Sequence, residues 1–358
     1  MQATQRQSWV DIAKGIGILL VVYGHVARGV FNAGVAMDEG LFHLIDSLIY
    51  SFHMPLFFFI SGLFFLASLA SKGRGGLIAS KIDTILYPYL IWSLLQGGLE
   101  VFLSAHTNGQ AQASDVLALL WKPRQQFWFL YALFLISLTC ALVYRGNNSR
   151  RFVLATSLVF LLAHLFRDDI HLGLQGGFVT GNAVFFALGI LARTFDLPGR
   201  LASFEALAVS ALLFAASQFT YHHILGLDFA SGGPYFLANA VLGIVFIVAL
   251  SVRLSALNTG WLAYLGGASM AIYLMHVLAG SGCRILMKSV LGIDDAATHL
   301  VLGTLLGTLL PLAAFRVATR WHLGFLFSPP RPLSAMAWIK RLRKPARSID
   351  QAPPPGAS

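Results

Sequence analysis

The chain has 358 residues, 57% of them apolar and only 11% charged, with a mean hydropathy of +0.71. Soluble domains carry about a quarter charged residues. A chain this poor in charge, with 28 phenylalanines, must hide apolar surface in lipid, which excludes a soluble fold. The net charge of +10 would suit a nucleic-acid binder, but the basic residues fall in loops between apolar stretches, where a membrane protein concentrates them.

A span needs about 20 mostly apolar residues. Taken in chain order, the stretches 12–31, 48–70, 83–104, 127–144, 152–166, 178–193, 204–220, 235–252, 260–279 and 297–317 predict ten transmembrane helices. The fold class is therefore all-α, a polytopic integral membrane protein, with the fifth and sixth helices short for a span. The first stretch is too long for a cleaved signal peptide and lacks a small-residue cleavage site. Cys140 and Cys283 lie in or beside apolar stretches without metal-ligand spacing and read as small core residues. Residues 1–320 form the transmembrane domain, and 321–358 a basic, proline-containing tail.

Placing the N-terminus in the cytoplasm puts 19 Lys and Arg residues inside. Six fall outside: Arg28, Lys122, Arg124, Arg167, Arg284 and Lys288. The bias alternates loop by loop, as the positive-inside rule requires. Both termini are then cytoplasmic and the number of helices even.

Ionisable residues inside spans are costly and usually functional. Lys14 and His25 lie eleven residues apart on the first helix, so at 100° per residue they share one face, about 16 Å apart. Alone, each has an ordinary explanation, a snorkelling interfacial lysine and a hydrogen-bonded packing histidine. Glu100 is the carboxylate deepest in a predicted span. Ser269, Tyr273 and His276 recur at four and seven residues on one face of the ninth helix. Trp128 and Tyr131 open the fourth helix, where an interfacial aromatic belt explains them as well as a sugar-stacking role. His222-His223 with Asp228 reads as a loop feature in preference to a metal site, and no metal is expected elsewhere.

A basic residue, ten residues and a histidine on the first helix resemble the acyltransferase family 3 membrane proteins, including sugar O-acetyltransferases of the fucose 4-O-acetylase type. Further matches follow in order: Phe52-His53-Met54-Pro55 through Ser61-Gly62, Lys81 with Tyr87-Pro88-Tyr89 and Trp92, Phe127-Trp128-Phe129-Leu130-Tyr131, and Gly267 through His276. The family usually has arginine where this chain has Lys14. The resemblance implies a multi-pass protein of the bacterial inner membrane that moves an acyl group, acetyl in the family's sugar O-acetyltransferases, from cytoplasmic acyl-CoA to a hydroxyl at the periplasmic face. Acetyl-CoA is then the co-substrate and a glycan or lipid-linked sugar the acceptor, in the lipid bilayer, with polysaccharide-assembly proteins as candidate partners and no nucleic acid.

On this reading Lys14, Arg74 and Lys81 hold the donor's phosphates. His25 acts as general base or as a transiently acylated nucleophile, and Glu100 is its candidate carboxylate partner. His53, Trp128, Tyr131, Ser269, Tyr273 and His276 bind the acceptor. A sugar or glycolipid transporter or flippase would also need many helices and intramembrane polar residues. Against it, the two halves show no inverted repeat and the polar residues sort towards the two faces.

Overall fold

The computed structural model describes residues 2–102, 112–257 and 259–342, and among these there is no strand. The helices are α1 (Gln2–Asn32), α2 (Glu39–Tyr50), α3 (His53–Leu63), α4 (Phe65–Lys81), α5 (Tyr87–Phe102) and α6 (Ala113–Leu117). They continue as α7 (Trp128–Val143), α8 (Arg150–Leu165), α9 (Gly173–Thr194), α10 (Leu197–Arg200) and α11 (Phe204–Phe219). The last are α12 (Gly233–Leu254), α13 (Gly260–Gly267), α14 (Ser269–Ile285), α15 (Ala296–Arg320) and α16 (Ala335–Leu342).

Eight stretches among the described residues are long and apolar enough to cross a membrane. They correspond to eight of the ten expected helices. The other two are helical as well: α8 has only 16 residues, and the segment around α5 runs into residues 103–104, outside the described ones. The expected second span, 48–70, takes in the end of α2, all of α3 and the start of α4, with breaks at Ser51–Phe52 and at Phe64; the ninth is likewise broken at Ala268. Tight turns of wider helical pitch join α4 to α5 over Ile82–Leu86 and extend α11 and α14.

The first helix is the centre of the bundle, packed against α2, α3, α12, α13, α14 and α15. Small residues permit this. A Cβ on Gly15 would lie 2.2 Å from the carbonyl oxygen of Leu262, and one on Gly266 only 1.7 Å from that of Asp11. Backbones that approach so closely gain packing contacts where lipid supplies no hydrophobic drive between helices. Leu212 and Phe219 on α11 and Leu305 and Leu309 on α15 point outward, as lipid-facing positions do.

The contacts fix the registers. Val26 meets Gly280 and Gly29 meets Arg284, so α1 and α14 run parallel, whereas Asp11 meets Gly266 and Gly15 meets Leu262, so α13 pairs with α1 in the reverse order. Tyr50 lies against Gly24 and Phe57 against Gly17, so α2–α3 runs antiparallel to α1. The sequence positions of His25, Tyr50, His53 and His276 therefore converge at one level of the bundle. A buried polar network supports the α2–α3 break: Gln218 Nε2 donates to Ser51 Oγ at 3.0 Å, and Asn239 Nδ2 to Gln218 Oε1 at 3.2 Å. After α15 the chain folds back, and Asp83 caps α16 by accepting from Ser334 Oγ and the backbone amides of Ala335 and Met336.

Candidate functional site

At the His25 level a cavity of about 470 Å³ opens between α1, the α2–α3 break, the start of α7, α14 and α15. His25, His53, His276 and His299 all line it. The His25 ring stands edge-on to His276 with centroids 5.0 Å apart, and to Tyr50 at 6.4 Å. Neither ring nitrogen of His25 is hydrogen-bonded to another described residue.

Its neighbours are held in one tautomer each. His276 Nδ1 donates to the Tyr273 carbonyl at 2.8 Å, and His53 Nδ1 to that of Ile49 at 2.8 Å. A carbonyl oxygen only accepts, so Nδ1 carries the proton and Nε2 the lone pair in both rings. On α15, His299 uses Nε2 towards Ile293 O at 2.8 Å. Four buried polar atoms on cavity-lining residues have no protein partner: His276 Nε2, His299 Nδ1, Tyr50 Oη and Gln126 Oε1. Buried polar groups are nearly always paired, and four such atoms around one cavity mark it as a place for polar ligand groups.

Arg28, one turn beyond His25, makes a bidentate pair with the buried Asp46 at 2.7 and 2.8 Å. Its guanidinium lies 3.4 Å from the centre of the Tyr50 ring, a cation–π contact. The pair fixes the Tyr50 ring, which also stands edge-on to His53 at 4.6 Å and packs against Phe229 at 5.4 Å. Gln125 and Gln126, just before α7, complete the wall. Gln125 has φ 42°, a left-handed conformation rare outside glycine and concentrated at functional sites.

The expected residues separate into those at the cavity and those outside its wall. His25, His53, Trp128, Tyr273 and His276 line it. Trp128 lies nearly flat on Phe178, centroids 6.2 Å apart, and Tyr273 donates its hydroxyl to the Gln126 carbonyl. Tyr131 instead donates to Leu120 O at 2.8 Å and packs on Tyr89, away from the wall. Ser269 lines a second, apolar pocket of about 70 Å³ with Ile18, Phe57 and Phe129. The two spaces share Val21, Met54 and Tyr273, so the apolar pocket adjoins the chamber along the Ile18–Val21–His25 face of α1.

The expected pairing of Glu100 with His25 is not what the structure contains. Glu100 accepts from Arg124 Nη2 at 2.9 Å, Gln125 Nε2 at 2.9 Å and Gln96 Nε2 at 3.1 Å. Arg124 and the glutamines satisfy the carboxylate before it can reach the histidine. Gln96 in turn accepts from Gln126 at 2.8 Å, so Glu100 supports the cavity wall through Gln125 and Gln126.

Lys14 pairs with Asp11 at 3.1 Å. Arg74 is exposed, and Lys81, just outside the third expected span, is half-buried. Burial, then the nearby Lys72 ammonium, pulls Lys81 down to about 8, so it carries a proton at neutral pH. The histidine pair of the 222–223 segment is no ligand set: His222 spends Nδ1 on Leu227 O and Nε2 on Gln218 Oε1, both at 3.0 Å. Among the described residues no cluster of three or more metal-ligating side chains occurs. Both cysteines are buried and free.

Sequence reading did not pick out Arg28, Tyr50, Gln125, Gln126, Arg284 and His299 as site residues. Arg28 carries a signal in the sequence, since it follows His25 by three residues on the same helix.

The fold and cavity define a multi-pass helical membrane protein with a histidine-lined chamber on its central helix. This chain belongs to the acyltransferase 3 family, whose sequence model, described as an acyltransferase domain, matches residues 7–316. It is also similar to the nodulation protein NolL of Sinorhizobium fredii, 26% identical over 159 residues, or 44% of this chain and 42% of that protein. NolL of Mesorhizobium japonicum is 27% identical over 150 residues, 42% of this chain and 39% of that protein. The alignments thus span about two fifths of each relative. No solved structure matches the chain significantly.

Proposed function

We propose that this membrane acyltransferase moves an acyl group, acetyl by family resemblance, from cytoplasmic acyl-CoA to a hydroxyl of a glycan or lipid-linked sugar at the periplasmic face of a bacterial inner membrane. The observation that carries the reading is the chamber itself. His25 stands unpartnered in a wall of tautomer-fixed histidines, next to an apolar pocket that extends along its own helix to Ile18, on the side of Lys14. The separation of about 16 Å along that helix is comparable to the reach of an extended pantetheine arm.

In this scheme Lys14, Arg74 and Lys81 engage the donor's phosphates, which ammonium and guanidinium groups bind well. The thioester reaches His25. Neutral His25 takes the proton of the acceptor hydroxyl as its oxygen attacks the thioester carbon. The Tyr50 hydroxyl, free of protein partners, donates to the developing oxyanion. Collapse breaks the C–S bond, and the CoA sulfur leaves with the proton held by His25. Acylation of His25 followed by transfer uses the same geometry. Trp128, Tyr273, His53 and His276 line the acceptor's space; Tyr131 and Ser269 act on packing around it.

The test is acetyl-CoA turnover by purified protein in liposomes with glycans in the opposite compartment. Wild type should release CoA on the Lys14 side and acylate the glycan. His25→Ala should still bind donor while transfer falls by about 10²–10⁴, the usual contribution of a general base. Full transfer by His25→Ala would remove the catalytic assignment.

A further inference from the structure

We infer that the acceptor is an anionic saccharide, whose carboxylate or phosphate is held by Arg284 at the mouth of the His25 chamber. This rests on the acyltransferase reading and adds the chemical class of the acceptor to it.

The charge of the wall carries the argument. Two arginines and four histidines line the chamber, and no carboxylate does. Arg28 is neutralised from behind by Asp46 and its face is covered by Tyr50. Arg284 has neither: among the described residues no carboxylate pairs with it, though it is half-buried in the wall. A guanidinium partly withdrawn from water without a counter-charge is costly, and an anionic ligand group removes that cost. The planar fork of arginine accepts carboxylate and phosphate in a bidentate manner.

Position agrees with charge. Arg284 reaches α1 at Gly29, where an added Cβ would lie 3.7 Å from its Nε. That is four residues, about 6 Å along the axis, beyond His25. A sugar ring spans such a gap, with its reacting hydroxyl at His25 and an acidic substituent further out. Lys288 bonds to the Ala33 carbonyl one turn on, so its charge is directed at the backbone and Arg284 is left as the cation facing the ligand. On the proposed orientation, Arg284 also lies on the side where only six of the 25 basic residues occur, against the bias that explains the others.

The experiment measures thermal stabilisation of the purified protein in phosphatidylcholine nanodiscs by methyl glucuronide, glucose 1-phosphate and neutral methyl glucoside. Acetyl transfer to each is followed in the same preparations. The acidic sugars should bind about tenfold or more tightly than the neutral one, the scale of one charge-assisted contact. Arg284→Gln should bring the ratio towards one, and Arg284→Lys should restore part of it. Equal binding of neutral and acidic sugars by wild type overturns the inference, as does an equal loss for both in Arg284→Gln.

An effect of Arg284→Gln that appears only when phosphatidylglycerol is added makes the residue a lipid-headgroup anchor and also overturns it. Preferential binding of acidic sugars with no His25-dependent acetyl transfer sinks the acyltransferase reading and, with it, the assignment of the anion to an acceptor. His25-dependent transfer without an acidic preference sinks this inference alone.

Discussion

Glu100 accepts from three side chains, and those three bonds set what its removal does. With Arg124 it forms a partly exposed ion pair, and Arg124 Nη1 is already without a partner. Glu100→Gln keeps the shape of the contact but leaves the guanidinium unneutralised. A lost charge-assisted bond costs about 1–3 kcal/mol, which thermal unfolding in detergent should register as a lower Tm. Transfer should fall by less than about tenfold, well short of the 10²–10⁴ expected when a general base is lost. If kcat for Glu100→Gln drops as far as for His25→Ala, the carboxylate acts on the histidine and the observed bonding is not that of the working state. At this scale legibility was partial for a definite reason. His25, His53 and His276 carry their significance in residue type and depth, whereas Gln125 and Gln126 become site residues only because α7 starts beside α14.

Helix α3 crosses α9 at Gly62 and Gly189, and there the backbones nearly touch. A Cβ on Gly62 would lie 2.0 Å from Phe186 O, and one on Gly189 2.0 Å from Phe59 O. Both obstacles are main chain and cannot rotate away, so the helices would have to part. Overpacking of this kind costs about 1–3 kcal/mol or more. Gly62→Ala is therefore expected to lower the Tm clearly. Gly98→Ala, on α5 with nothing within 4 Å of its added Cβ, should be neutral or slightly stabilising, as alanine is the better helix former. If the two variants unfold alike, the crossing does not hold α3 in place. The apolar runs revealed the helices because twenty residues without charge have one role in lipid. They concealed the breaks at Ser51–Phe52 and Ala268, since side-chain hydropathy is blind to an interrupted backbone ladder. The tail shows the same limit: its basic, proline-containing composition carries no helical signal, yet residues 335–342 form a helix fastened by a single aspartate, Asp83.

For the molecule as a whole, sidedness rests on an even number of crossings, and α8 is the crossing most open to challenge. Its 16 residues reach about 24 Å at 1.5 Å each, less than the roughly 30 Å of a hydrocarbon core. Arg150 and Arg151 at its start are exposed, and their long side chains can extend to the headgroups while the bilayer thins locally. We expect α8 to cross. The protein suits a direct test, because both native cysteines are buried and leave little labelling background. Asn147 and Asp169 are exposed on either side of α8. In intact cells a membrane-impermeant maleimide should label Asp169→Cys, and should reach Asn147→Cys only after the inner membrane is opened. If both react in intact cells, or neither does, α8 lies on one face, nine crossings remain, and the two termini are on opposite sides. The loop-by-loop excess of basic residues would then invert after residue 150. That inversion contradicts a bias which otherwise holds from Arg6 to Arg347, and this makes the crossing the better expectation despite the short helix.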